Sequence, residues 1–231
     1  MIKVETRKAV WGKSSLTSPE ALENCIAHYD FLPFFSNKVK GWSIEEMTPH
    51  SLWFTETPGP WEWKGPVARQ GSFLYGKFFN KKAGYVDRTV FARFAQVRRV
   101  LPAARQPMAA AREAWLMDRM SLGEAVLSPE LKEAWCEEFG SAAGLDATLT
   151  ALQMRTELVI CDFEYKKTKQ GEPYGWGLAR YVRPEFFIGE DFLNEGADTP
   201  EEALESLTTE LSAKLPQADP LVLRTILAGR R

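Results

Sequence analysis

Histidine and cysteine are scarce in this chain of 231 residues, and their scarcity removes several kinds of chemistry at once. The three cysteines, Cys25, Cys136 and Cys161, lie far apart and are odd in number, which argues for reduced thiols over a disulfide framework. Cys25 falls at helical spacing with Leu22, Ile26 and Tyr29 and reads as a small core residue. With only His28 and His50 to join the cysteines, no zinc spacing can be assembled, so no metal and no cofactor is expected. Neither histidine lies near a nucleophile motif, which disfavours a nucleophile–His–Asp hydrolase. No run approaches the roughly 18 apolar residues of a membrane span, so no membrane partner is expected. The stretch from Met1 to Ser15 is basic and lacks the apolar core of a secretory signal, and a cytoplasmic location is expected by default.

What is present is an ordinary globular composition with an unusual distribution of charge. Hydrophobic residues make up 45% and charged residues 26%, enough for one large domain or two small ones. The net charge of -2 conceals a separation. Between Lys64 and Arg105 lie ten basic residues and one acid, Asp87. Between Glu185 and Asp219 lie ten acids, opposed by Lys214 alone. Such an asymmetry points either to a polyanion partner or to two segments that neutralise each other across the fold.

Helix starts recur at Ser18-Pro19-Glu20, Ser128-Pro129-Glu130 and Thr199-Pro200-Glu201, each a capping hydroxyl before proline. They open helices over about 19–29, 129–139 and 199–215, and a short helix is expected from Ile44. "PWEWKGPV" alternates Trp61 and Trp63 against Glu62 and Lys64 and reads as a strand. "SFLYGKFF" turns through Asn80-Lys81-Lys82 into "AGYV", a β-hairpin, and a helix follows from Thr89 to about Val100. Helices over about 110–119 and 145–155 precede a second hairpin, whose turn, "KKTKQGEPYG", carries three lysines. Three helices followed by a hairpin is the order of a winged helix. The expected fold is therefore α+β: residues 1–105 as an N-terminal unit resembling a degraded winged helix, 106–183 as a winged-helix domain, and 184–231 as an acidic helical tail.

Several blocks carry a family resemblance: "FLPFF", "GWSIEEMTPHSLWF", "GPWEWKGPV", "YGKFFNKKAGYV", "LQMRTELVICDFEYKK" and "PYGWGLARY". Together, over about residues 31–183, they resemble the bacterial AlkZ-related family, which is distantly similar to winged-helix DNA glycosylases. The resemblance implies tandem winged-helix units and DNA as partner. It also implies a Gln–apolar–Gln or Gln–apolar–Asp pair that holds the attacking water. The nearest motif here is Gln153-Met154-Arg155, whose arginine cannot accept a proton from water. A formal match, Gln217-Ala218-Asp219, precedes Pro220, where Asp219 reads better as a helix cap. Gln153 is thus the candidate catalytic residue the resemblance supplies, and the motif is not intact.

The residues themselves nominate Glu62, between two tryptophans, as a carboxylate whose burial would suit general acid–base work. Candidate nucleic-acid contacts are Lys77, Lys81 and Lys82 at the first hairpin, Arg93, Arg98 and Arg99 on the next helix, Arg155, and Lys166, Lys167 and Lys169 at the second turn. The leading expectation is a DNA-binding, glycosylase-like protein. The competing one is a non-catalytic module that binds a protein partner or dimerises. A small-ligand enzyme built around Glu62 is the third.

Overall fold

The computed structural model describes residues 12–54, 58–100, 107–170, 173–196 and 199–229. Ser18 accepts from the Ala21 N–H at 3.2 Å and Pro19 fixes the first turn of α1, Pro19–Tyr29. Asp30, in the left-handed region, ends the helix and passes the chain into β1, Phe31–Pro33. Helix α2, Ile44–Met47, is capped by Ser43. Helix α3, Pro60–Arg69, occupies the stretch whose alternation suggested a strand. Local chemistry overrides the alternation. Pro60 sits in the first turn, and the Glu62 carboxylate reaches back to accept from the Gly59 N–H at 2.8 Å. Trp63 and Val67, four residues apart, then share the buried face.

The hairpin follows as β2, Phe73–Phe79, and β3, Lys82–Asp87, and α4 spans Arg88–Arg99. The second half runs α5, Pro107–Arg119; β4, Val126–Leu127; α6, Ser128–Phe139; α7, Leu145–Met154; β5, Val159–Lys167; and β6, Pro173–Val182. Residues 1–11 and 101–106 lie outside the described residues.

The strands of the described residues form one six-stranded antiparallel sheet in the order β1-β3-β2-β5-β6-β4. That order reads as a palindrome of the two halves. Each half contributes a helix, a short strand, two helices and a hairpin, and each short strand pairs with the second arm of its own hairpin. The halves meet where the two first arms pair, Tyr75 opposite Ile160. The third helix of each half packs on the first hairpin arm of the other. A Cβ at Gly65 of α3 would stand 3.6 Å from the Phe163 Cβ on β5, and Arg69 pairs with Asp162 at 2.8 Å. On the reciprocal side α7 meets β2 through Gln153 and Lys77.

The tail consists of α8, Pro184–Ile188, α9, Pro200–Lys214, and α10, Pro220–Ala228. Leu207, Leu211 and Leu215 are buried along one stripe, and Asp219 caps α10 by accepting from the Leu221 N–H at 2.8 Å. A core of edge-to-face phenylalanines centres on α4 and β2, with Phe94 5.3 Å from Phe31 and 5.9 Å from Phe78 between ring centres. A second aromatic group, Trp115, Trp135 and Phe139, joins α5 to α6.

Candidate nucleic-acid interface

Most of the basic segment faces inward or is paired. Arg93 grips Glu210 of α9 with two guanidinium nitrogens, and Arg99 donates to Glu185 at 2.7 Å and to the Thr156 carbonyl at 2.9 Å. Arg98 is 3% exposed and donates to four carbonyls: Leu227 at 2.6 Å, Ile226 at 2.8 Å, Met154 at 2.9 Å and Phe78 at 2.9 Å. Burial pushes its pKa down to about 9. The acceptors favour the cation, since three of them end α7 and α10, where the helix dipole is negative. Arg155 is held between Glu113 at 3.0 Å and Glu157 at 2.8 Å. Burial opposes its charge, and the two carboxylates outweigh that opposition and raise its pKa. Two acids of the tail segment, Glu185 and Glu210, thus neutralise arginines of α4.

The lysines of the first hairpin have a different setting. Asn80 and Lys81 form a two-residue turn with φ of 48° and 67°, the left-handed pair of a type I′ hairpin. Glycine is the usual second residue there, and a side chain in its place costs roughly 1 kcal/mol. Lys81 and Lys82 are exposed and make no salt bridge among the described residues; Lys82 donates at 3.5 Å to the Ser36 carbonyl. Lys38 and Lys82 line one cleft of about 270 Å³, together with Asn37, Asn80 and Leu221, Val222 and Ile226 of α10. Lys77 is half-buried and donates to the Thr150 hydroxyl at 3.2 Å.

The second lysine turn lies elsewhere. From the Tyr75–Ile160 pair the first turn begins five residues along β2, and the second lies eight residues along β5 in the opposite direction. At about 3.3 Å per residue the two turns stand roughly 40 Å apart, at opposite ends of the sheet. Lys169 is exposed there; Lys166 and Lys167 belong to β5, and their side chains lie outside the described residues.

Gln153 is fully enclosed, its carbonyl accepting from the Lys77 N–H at 3.1 Å and its amide donating to the Leu149 carbonyl at 3.0 Å. It ties α7 to β2. Glu62 is exposed and engaged in its own helix cap. Of the neighbouring aromatics, Trp63, Phe73, Tyr75, Phe78 and Phe79 are core residues. Sequence reasoning missed Lys38, whose only signal is its place in the polar run "SNKVKG" between two aromatic blocks. It also missed Lys64, a buried amine 5.0 Å from the centre of Trp61 and 4.3 Å from that of Phe163, its pKa lowered by burial.

Comparison with known proteins adds one match. The model of a protein family described as AlkZ related aligns with residues 16–228. No curated protein and no solved structure matches the chain.

Proposed function

Because the chain belongs to the AlkZ-related family, we propose that it binds nucleic acid, with the first hairpin turn as its phosphate-contacting element. The observation that carries this reading is the presence of Lys81 in a left-handed position that glycine would occupy at lower cost. A lysine held there at a cost to stability is explained by a polyanion, and Lys82 and Lys38 extend the same cationic edge. Phosphate contacts of this kind position a protein without reading sequence. The order helix, strand, helix, helix, hairpin in each half, with the lone strand on the hairpin's second arm, supports two winged-helix units. In that reading the third helices, α3 and α7, pack on each other's hairpins and leave the turns to meet the duplex.

Base excision is not part of the proposal. Gln153 spends both ends of its amide on backbone groups, Arg155 is locked between two carboxylates, and Asp219 caps a helix. A second reading, a protein-interaction module, draws on Leu221, 72% exposed at the edge of the cleft that holds Lys38 and Lys82. Fluorescence anisotropy with labelled duplex and single-stranded DNA at low salt separates the two. Binding is expected in the native chain and its loss in Lys81→Glu/Lys82→Glu. Absence of binding by the native chain would sink the nucleic-acid reading and favour the protein partner.

A further inference from the structure

A separate cleft of about 890 Å³ opens where α2, the loop after it and the start of α3 converge. Its walls include Phe35, Trp53, Phe54 and Trp61, with Trp53 and Trp61 meeting edge to face at 5.7 Å between ring centres. Phe54 is 78% exposed and holds a φ of 56°, a conformation a bulky side chain adopts only under strain. Glu45 and Glu46 line the same space. Each commits one carboxylate oxygen, Glu45 to the Ser36 N–H at 2.7 Å and Glu46 to the Ser43 hydroxyl at 2.8 Å, and the other oxygen has no partner among the described residues. Thr48, 6% exposed, also lines the cleft, and its hydroxyl has no partner among the described residues. Lys13 and His50 also line the cleft, so two acidic and two basic side chains share it.

Aromatic faces beside carboxylates attract organic cations through the ring quadrupole and direct charge. Trp61 already has Phe34 stacked on it at 5.0 Å between ring centres and the Lys64 ammonium at 5.0 Å, so Phe35, Trp53 and Phe54 are the rings left to an incoming cation. We propose that this cleft binds a ligand bearing a quaternary ammonium group. A quaternary ammonium needs only apolar faces and a nearby negative charge, and a cleft of this volume leaves room for the body that carries it.

The test titrates choline and its uncharged carbon isostere, 3,3-dimethylbutan-1-ol, against intrinsic tryptophan fluorescence, with calorimetry as a second readout. Choline is expected to bind at least about tenfold more tightly than the isostere. Glu45→Gln/Glu46→Gln is expected to erase that preference, and Phe54→Ala, at an exposed position, to weaken choline while far-UV circular dichroism stays native. Nε-trimethyllysine as a third ligand tells a modified side chain from a small molecule by which of the two binds tighter. Lys81→Glu/Lys82→Glu is expected to leave choline binding unchanged, because the cleft does not depend on the nucleic-acid reading. Equal affinity for choline and its isostere, or no saturable choline binding below about 50 mM, would overturn the proposal.

Discussion

Arg98 and Lys81 belong to the same basic segment and have opposite roles. Arg98 lies on α4, whose apolar face is driven into the core by Phe91 and Phe94, and its guanidinium is carried inside to meet carbonyls that would otherwise be orphaned. Lys81 lies on a turn, where its side chain stays exposed and only the backbone bears a cost. A run of like charges is therefore not a surface in itself. The element that carries each charge decides whether it stabilises the fold or remains available to a ligand.

The comparison breaks most readily at Arg98. Arg98→Met would leave four carbonyls without their donor and is expected to lower stability by about 3–5 kcal/mol, read by urea denaturation. A loss under about 1 kcal/mol would mean that the clamp is incidental. Arg93→Ala removes the pair with Glu210, half in solvent, and is expected to cost about 1 kcal/mol or less. It should also change the acid limb of the stability curve. The Arg93 hydrogen bond holds Glu210 below its ordinary value of 4.5. The native chain therefore has stability, present above about pH 4.5, that is lost as pH falls through the folded value, and the variant should lack that contribution.

Lys81→Gly sharpens the contrast from the other side. Relief of the left-handed backbone is expected to raise stability by up to about 1 kcal/mol while DNA affinity falls, a combination no purely structural role for Lys81 would produce. The smallest expected change is in stability for Lys81→Glu/Lys82→Glu, within about 0.5 kcal/mol of the native chain. Thiol chemistry offers an independent check on what is interior. Burial raises the Cys25 thiol to about 12 and Cys161 to about 11, so at neutral pH only half-buried Cys136 should react promptly with a disulfide reagent.

Much of the fold was legible from local chemistry. The hairpin turn at Asn80-Lys81 and the caps at Ser18, Thr199 and Asp219 follow from side chains acting on their own neighbours. The helix at Pro60–Arg69 was hidden because Trp61, Glu62, Trp63 and Lys64 alternate by chance, a period of two laid over a capping signal. The candidate site was less legible. Arg93, Arg98 and Arg99 look solvent-facing on a helical wheel, because a wheel knows nothing of the tail helices packing over that side. Lys38 reaches the cleft with Lys82 only because β1 pairs with β3, a contact between segments far apart in the chain.

The most direct test is the slope of log binding constant against log salt for duplex DNA, in the native chain, in Lys38→Glu/Lys81→Glu/Lys82→Glu and in Arg93→Ala. The expected result is a steep negative slope, smaller in the triple variant by about 0.9 for each phosphate no longer neutralised, and unchanged in Arg93→Ala. A slope that survives the triple variant intact, or one that falls with Arg93→Ala instead, would contradict the assignment of the first hairpin turn as the phosphate-contacting element.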